Sequence, residues 1–359
     1  MAIKVYERHL AREIYGATAL VLAAFLMLFA FFDLIHEFEE LGHGGYQLQH
    51  AIGFVLLTMP GRIYELFPIA VLIGTLYALT LLARHSEITV LRCSGLSTLA
   101  LLKTLARIGL LFMALTFVFG EFIAPQAEKA AQELRLKALS SLVAQEFRSG
   151  LWVKDEHNFV NVREVLPDTR LRGVRIYEFD AEYRLRAIAE AEAGEFMPPD
   201  HWRLTGVVRT DFSDEGARIS RLPETVWRSA QNTDMHSVLL VVPERMSFVN
   251  LFLYIRHLQE NQQQTQRYVI ALWKKLVYPC AILVMMALAL PFAYAQDRMG
   301  AVSIKVFAGI MLGITFHMLN GLFSSLGVIN SWTPFFSAIT PSALFLLTAA
   351  AMIWWVERR

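Results

Sequence analysis

Six apolar runs, near residues 14–35, 59–83, 99–123, 276–295, 304–325 and 334–356, punctuate a chain of otherwise mixed polarity. Each has the length, about 20 residues, that an α-helix needs to cross about 30 Å of hydrocarbon. A bilayer offers the backbone no hydrogen-bond partners, so uninterrupted apolar runs of this kind predict helices. Three runs precede a long polar insert and three follow it. The pattern therefore predicts a polytopic α-helical membrane protein, six transmembrane helices in a 3+3 arrangement. The first transmembrane half occupies 1–123, an inserted domain 124–270 and the second half 271–359.

Within the insert the period changes twice. Pro125 to Gln145, rich in Ala, Glu, Leu and Lys, continues as helix. Short β-type runs follow: GLWVK, NFVNVREV, LRGVRIYEFD, YRLRAIAEA, HWRLTGVVRTDF, ARISRL and SVLLVV, parted by the turn clusters LPD, MPPD and SDEG. Strands of this length at roughly 8–12-residue spacing predict a sandwich or jelly roll rather than βαβ units. Asn250 to Arg267, with Leu251, Tyr254, Ile255 and Leu258 at helical spacing, predicts an amphipathic helix leading back to the membrane.

Composition agrees with a membrane partner. Hydrophobic residues make up 55% of the 359 and charged residues 18%, against about 45–50% and about 25% in soluble domains. The mean hydropathy is +0.42. A net charge of +1 with no basic stripe argues against nucleic acid. Two cysteines, Cys93 and Cys280, are too few for a disulfide framework, and they fall on opposite sides of the expected topology. The basic start followed by an apolar run too long for a signal peptide, with no A-x-A site, reads as a retained signal anchor.

Lys and Arg in short loops set orientation. Lys4, Arg8, Arg12, Arg84, Arg92, Lys103, Arg298, Lys305, Arg358 and Arg359 gather at one set of helix ends, whereas the loops 36–61 and 326–333 contain neither residue. Both termini are therefore expected in the cytoplasm and the insert outside it. Lys274 and Lys275, at the outer end of the fourth span, run against the rule.

The loop LLARHSEITVLRCSGLSTLALLK joins the second and third spans. Ser86 to Cys93 has helical spacing with Ser ahead of Glu, and Gly95 can end the helix by taking φ > 0. A short helix across the cytoplasmic face is what an ABC permease presses into its ATPase; by itself it reads equally as a solvated loop helix. SEITVLRCSGLS resembles the coupling-helix signature of the LptF/LptG permease family of the lipopolysaccharide-export ABC transporter. GEFIAPQAE at 120–128 and GLWVKDEHNFVNV at 150–162 resemble the LptG branch of that family. The likeness runs along essentially the whole chain. It implies a periplasmic β-jelly roll, and residue by residue it implies that Glu87 and Arg92 meet the ATPase, with Gly95 setting the helix end in the coupling loop 84–98. It also implies lipopolysaccharide as cargo, an LptF-like permease, an LptB-like ATPase dimer, an LptC-like bitopic protein and a periplasmic jelly-roll bridge as partners. ATP and Mg belong to the ATPase in this reading, so no cofactor is expected on this chain, and no G-x-x-x-x-G-K-[ST] occurs in it.

FFDLIHEFEELGHGG closes the first span. Asp33, His36, Glu37 and Glu40 stand at i, i+3, i+4 and i+7, one face of a helix. Three carboxylates and an imidazole suggest a cation site or an intramembrane hydrolase, although His-Glu-x-x-His is not completed because Glu40 stands where the second His would. A solvated helix end accounts for the pattern equally well. Family relatives tend to carry lysines here, which meet lipid A phosphates. The acidic residues of this chain imply either a divalent cation bridging acid to phosphate or basic contacts from elsewhere, Arg62, Lys274 and Lys275 being candidates. In the fifth span Gly309 and Gly313 form a GxxxG, followed by His317, Asn320 and Ser324 at helical spacing. Small and polar residues at membrane depth serve helix packing or line a wet cavity. The resemblance places the first and fifth helices beside a lateral opening for lipid. Glu121 reads as an interfacial cap.

Overall fold

The computed structural model describes residues 5–42, 45–138, 151–155, 158–165, 170–180, 184–197, 201–213, 216–228, 245–260, 263–294 and 301–358. The first half holds α1 (Val5–Phe38), α2 (Leu48–Arg84), α3 (Glu87–Cys93) and α4 (Thr98–Val118), which runs through a π-helical turn at Phe119–Ile123 into α5 (Ala124–Ala138). After the strands come α6 (Phe248–Glu260), α7 (Gln266–Val277), a 3₁₀ turn at Tyr278–Cys280, α8 (Ala281–Tyr294), α9 (Ala301–Ile329) and α10 (Pro334–Glu357). Among the described residues six helical stretches are long and apolar enough to span a membrane: 5–38, 48–84, 98–135, 266–294, 302–329 and 334–357. They coincide with the six expected runs and extend past them, because helix continues through polar turns beyond the hydrocarbon.

Helix α2 is the axis of the bundle, packed against α1, α5, α8 and α9. Its Leu72, Leu76 and Leu79 are fully buried, as are Ile282, Met285 and Leu288 of α8, in one continuous core. A helix that is apolar all round must be surrounded by protein or by lipid. Helices α2 and α8 take the first course; α1 and α9 take the second, leaving Leu20, Met27 and Phe31 or Ile304, Phe307 and Met318 facing outward. Close contacts seat these outer helices on α2. At Gly74 a Cβ would lie 2.5–2.7 Å from the Cα, N and Oγ1 atoms of Thr18 in α1. Gly309 and Gly313 let α9 rest on Leu76 and Ile69, so the GxxxG meets α2 of its own bundle.

The insert forms a six-stranded antiparallel sheet: β1 (Leu151–Asp155), β2 (Asn158–Val165), β3 (Leu171–Phe179), β4 (Leu185–Met197), β5 (His201–Ser213) and β6 (Gly216–Arg228). Each strand pairs with its sequence neighbours in the order β1-β2-β3-β4-β5-β6. The described strands are thus a meander. Any crossover that would complete a jelly roll, and the expected strand at 237–242, lies outside the described residues. One face buries Val160, Val162, Val174, Ile176, Ala189, Ala191, Trp202 and Leu204. Strand β6 runs six residues beyond its expected end at Leu222, through Pro223. The register runs unbroken from Thr205↔Glu224 to Val207↔Leu222, with Gly206 at φ +65° opposite Pro223, and an outer strand tolerates a missing amide donor.

Three contacts tie the return segment to the bundle. The Arg245 guanidinium donates to Glu128, a carboxylate only 4% exposed, at 2.6 Å. Both carboxylate oxygens of Glu121 accept the Phe248 amide at the start of α6, at 2.9 and 2.8 Å. Glu121 is therefore a cap, on a helix far away in sequence. The Lys275 ammonium donates to the Met246 carbonyl, which gives one of the two rule-breaking lysines a structural partner.

Candidate functional site

The two-residue link His85–Ser86 turns the chain sharply from α2 into α3. Ser86 takes left-handed backbone at φ 61° and its hydroxyl makes no capping bond. The expected serine cap is absent because an N-cap needs extended backbone to aim its oxygen at the next amides. Gly95 behaves as expected: at φ +89° it ends α3, with Gly95 N donating to Arg92 O and Leu96 N to Leu91 O. This pair of bonds is the Schellman pattern. Ile88, 3% exposed, anchors α3 to the bundle, while Thr89, Val90, Arg92 and Cys93 face outward. Cys93 and Cys280 are both free thiols.

Glu87 meets Nε2 of His9 in α1 at 2.9 Å, with both side chains about half exposed. Glu7, two residues before His9, holds Arg107 of α4 at 2.7 Å. The guanidinium of Arg92 sits 4.6 Å from the ring centroid of Tyr294 at the end of α8. Exposed ion pairs exchange readily with other partners. The end of the bundle therefore offers an outward-facing short helix whose charged groups are held weakly.

At the other end the four acidic-face residues diverge. Arg62 of α2 grips Asp33 of α1 through two bonds, at 2.7 and 3.1 Å, and reaches Glu65 at 3.4 Å. Glu65 in turn lies 3.8 Å from His317 of α9, so a polar chain runs Asp33–Arg62–Glu65–His317 across three helices. Asn320, one turn further along α9, is partly buried. Glu37 is 2% exposed; it accepts from the Tyr46 hydroxyl at 2.7 Å and faces Arg135 of α5 at 3.5 Å. Arg135 also reaches Glu40 at 3.3 Å. Burial, with the hydrogen bond to the Glu37 carboxylate next, holds the Tyr46 phenol well above its ordinary pKa. His36 points outward, with Glu39 at 4.0 Å. One helix face thus distributes its charges to three destinations. Among the described residues no group of three or more His, Cys, Asp or Glu is placed to hold a metal. The hydrolase reading loses its constellation, because Asp33 and Glu37 are occupied by Arg62 and Arg135 and stand apart from His36.

Of the three basic candidates, Arg62 is engaged by Asp33 and Lys275 by the Met246 carbonyl. Lys274 lines a cavity between α7 and α9. Sequence reasoning overlooked Tyr46, Glu65, Arg135 and the pair Glu128–Arg245. Arg135 carried a usable signal, since it continues the polar helix that leaves the third span. Tyr46 and Glu65 carried none without the fold.

The bundle, insert and loop order now have counterparts among known proteins. The profile of the family described as lipopolysaccharide export system permease LptF/LptG matches residues 8–355. The chain is 31% identical to the lipopolysaccharide export system permease protein LptG of Haemophilus influenzae, over 99% of both chains. It is 28% identical to the protein of the same name from Escherichia coli K12, over 99% of this chain and 98% of the other. A match spanning both helical halves and the sheet between them leaves a single assignment: the chain belongs to the LptF/LptG family of lipopolysaccharide export permeases.

Proposed function

We propose that this chain is a permease subunit of an ABC transporter that takes lipopolysaccharide from the outer leaflet of the inner membrane and passes it to a periplasmic bridge toward the outer membrane. Its termini and α3 lie in the cytoplasm, in agreement with the Lys and Arg bias, and its β-domain lies in the periplasm. An LptF-like permease completes the cavity, an LptB-like ATPase dimer supplies ATP hydrolysis with Mg, and an LptC-like protein and jelly-roll bridge receive the lipid. The chain itself holds no ATP-binding machinery in this reading. A divalent cation, where one takes part, travels with the lipid.

The observation that carries the proposal is the short helix α3. It is anchored by Ile88 and closed by Gly95, and its outer face is open to a second protein. Glu87 is the natural exchange point, since its half-exposed link to His9 can be traded for a cation on the ATPase. That trade would connect nucleotide binding to α1, which carries His9 at one end and Asp33 at the other. Helices α1 and α9 flank α2 with apolar outer faces, the arrangement a lateral entry for acyl chains requires.

The test is co-purification of the tagged chain with an LptB-like ATPase and an LptF-like partner, comparing wild type with Glu87→Ala, followed by ATPase assay. A complex whose assembly or hydrolysis falls at least tenfold in the variant supports the proposal. A chain that purifies alone, with Glu87→Ala indistinguishable from wild type, defeats it.

A further inference from the structure

Between α7 and the last two turns of α9 lies a cavity of about 420 Å³. On α7, Arg267, Ile270, Ala271 and Lys274 share one face, as residues three, four and seven apart do. The centre of that face is apolar and buried, with Ile270 at 2% and Ala271 at 6% exposure, and a cation flanks it on each side. Small residues of α9, Gly321, Ser324 and Ser325, form the opposite wall. Among the described residues nothing lies within 4 Å of the place where a Cβ on Gly321 would stand, so they leave this space unfilled.

Ser324 supplies an independent observation. Its Oγ is shielded from solvent and has no hydrogen-bond partner among the described residues. A membrane-embedded serine ordinarily bonds to the carbonyl four residues earlier, as Thr315 does to Met311 at 2.8 Å. Buried hydroxyls are rarely left unpaired. A ligand oxygen in the cavity would satisfy it.

We infer that this cavity binds the phosphate-bearing headgroup of a membrane lipid, with Arg267 and Lys274 contacting phosphate, Ser324 donating to a headgroup oxygen, and Ile270 and Val328 lining its apolar side. Arginine and lysine form their strongest hydrogen bonds with anionic oxygens, and an apolar floor beside two cations suits an amphiphile better than a free ion. The site lies at the end of the bundle that bears the β-domain, the outer-leaflet end in the permease reading on which this inference rests. It also accounts for Lys274, a lysine that breaks the charge rule.

The experiment uses the full chain in phosphatidylcholine nanodiscs, titrated with lipopolysaccharide, with the same lipid stripped of its phosphates, with phosphatidylglycerol and with inorganic phosphate. Wild type is compared with the double variant Arg267→Gln/Lys274→Gln and with Ser325→Trp, which fills the cavity and spares both cations. The expected result is a loss of affinity of about tenfold or more in both variants for a phosphate-bearing lipid, the effect of removing a charge-assisted hydrogen bond. The dephosphorylated lipid should not distinguish wild type from the double variant. Loss for lipopolysaccharide alone identifies the cargo as the ligand; loss for phosphatidylglycerol as well identifies a general lipid site. Unchanged affinity in both variants overturns the inference, and so does an equal loss for dephosphorylated lipid. Competition by inorganic phosphate at matched concentration overturns it in favour of a free-anion site. Failure to co-purify with the ATPase would defeat the permease reading without touching these binding curves.

Discussion

Asp33 and Arg62 face each other across the α1–α2 contact with side chains only 21% and 25% exposed. Removing either leaves the other charge poorly solvated, so the costs of the single variants Asp33→Ala and Arg62→Ala should sum to more than the cost of the double variant. A double-mutant cycle on thermal stability in detergent is expected to return a coupling of about 1–3 kcal/mol. Tyr46 makes a different prediction. Its phenol stays protonated in the folded protein while the unfolded chain begins to lose that proton above about pH 10. The stability it contributes is therefore complete below that pH and declines as pH rises. Tyr46→Phe should cost about 1–2 kcal/mol at neutral pH, by leaving Glu37 short of a donor, and alkaline melts of the variant should decline less steeply than those of wild type. None of these pairings was legible from residue spacing. Spacing places Asp33, Glu37 and Glu40 on one face, but their partners on α2, α5 and the 39–47 loop are fixed only when those elements pack.

At the scale of elements the sequence was most informative where the signal is local. Run length predicts a span and alternation predicts a strand, and both identify the described elements, although the helices extend up to about a dozen residues past the apolar runs and β6 six residues past its expected end. The close approach of α1 to α2 is the opposite case. Gly74 is one small residue in an apolar helix, and only the position of Thr18 makes it necessary. Because the atoms it would meet include backbone, Gly74→Ala cannot be relieved by a rotamer change and should cost about 1–3 kcal/mol. Gly61→Ala, on the same helix with open space around it, should be neutral or stabilise by up to about 1 kcal/mol. Paired thermal melts of the two variants check the contrast. Gly95 follows a third rule: its positive φ makes Gly95→Ala cost about 1 kcal/mol, and the loss should appear as weaker capture of the ATPase because α3 loses its terminus.

For the molecule as a whole, the insert communicates with the membrane half through α5, the return segment and their charged contacts. The family resemblance made this layout readable in advance. It did not reveal that Glu121 and Glu128, one inside and one beyond the π-helical turn at Phe119–Ile123, both face the segment around Arg245 to Phe248. The amide of Ala124 donates to the Phe119 carbonyl five residues back, so the turn holds one residue more than an α-helix would. Each residue of an α-helix advances it by about 100°, and a wide turn spreads its extra residue over nearly the same rotation, so the helix on either side keeps its phase. Deleting Phe122 should therefore restore regular helix and leave Glu128 beside Arg245 while disturbing the Glu121 contact with the Phe248 amide, destabilising the protein more than Phe122→Ala, which removes a side chain that is 56% exposed. Limited proteolysis of the insert in the two variants measures the difference. An extra residue between the third span and the domain it carries is thus absorbed within one wide turn, and a lineage can gain or lose a carboxylate there without re-aiming the domain or rewriting either packed face.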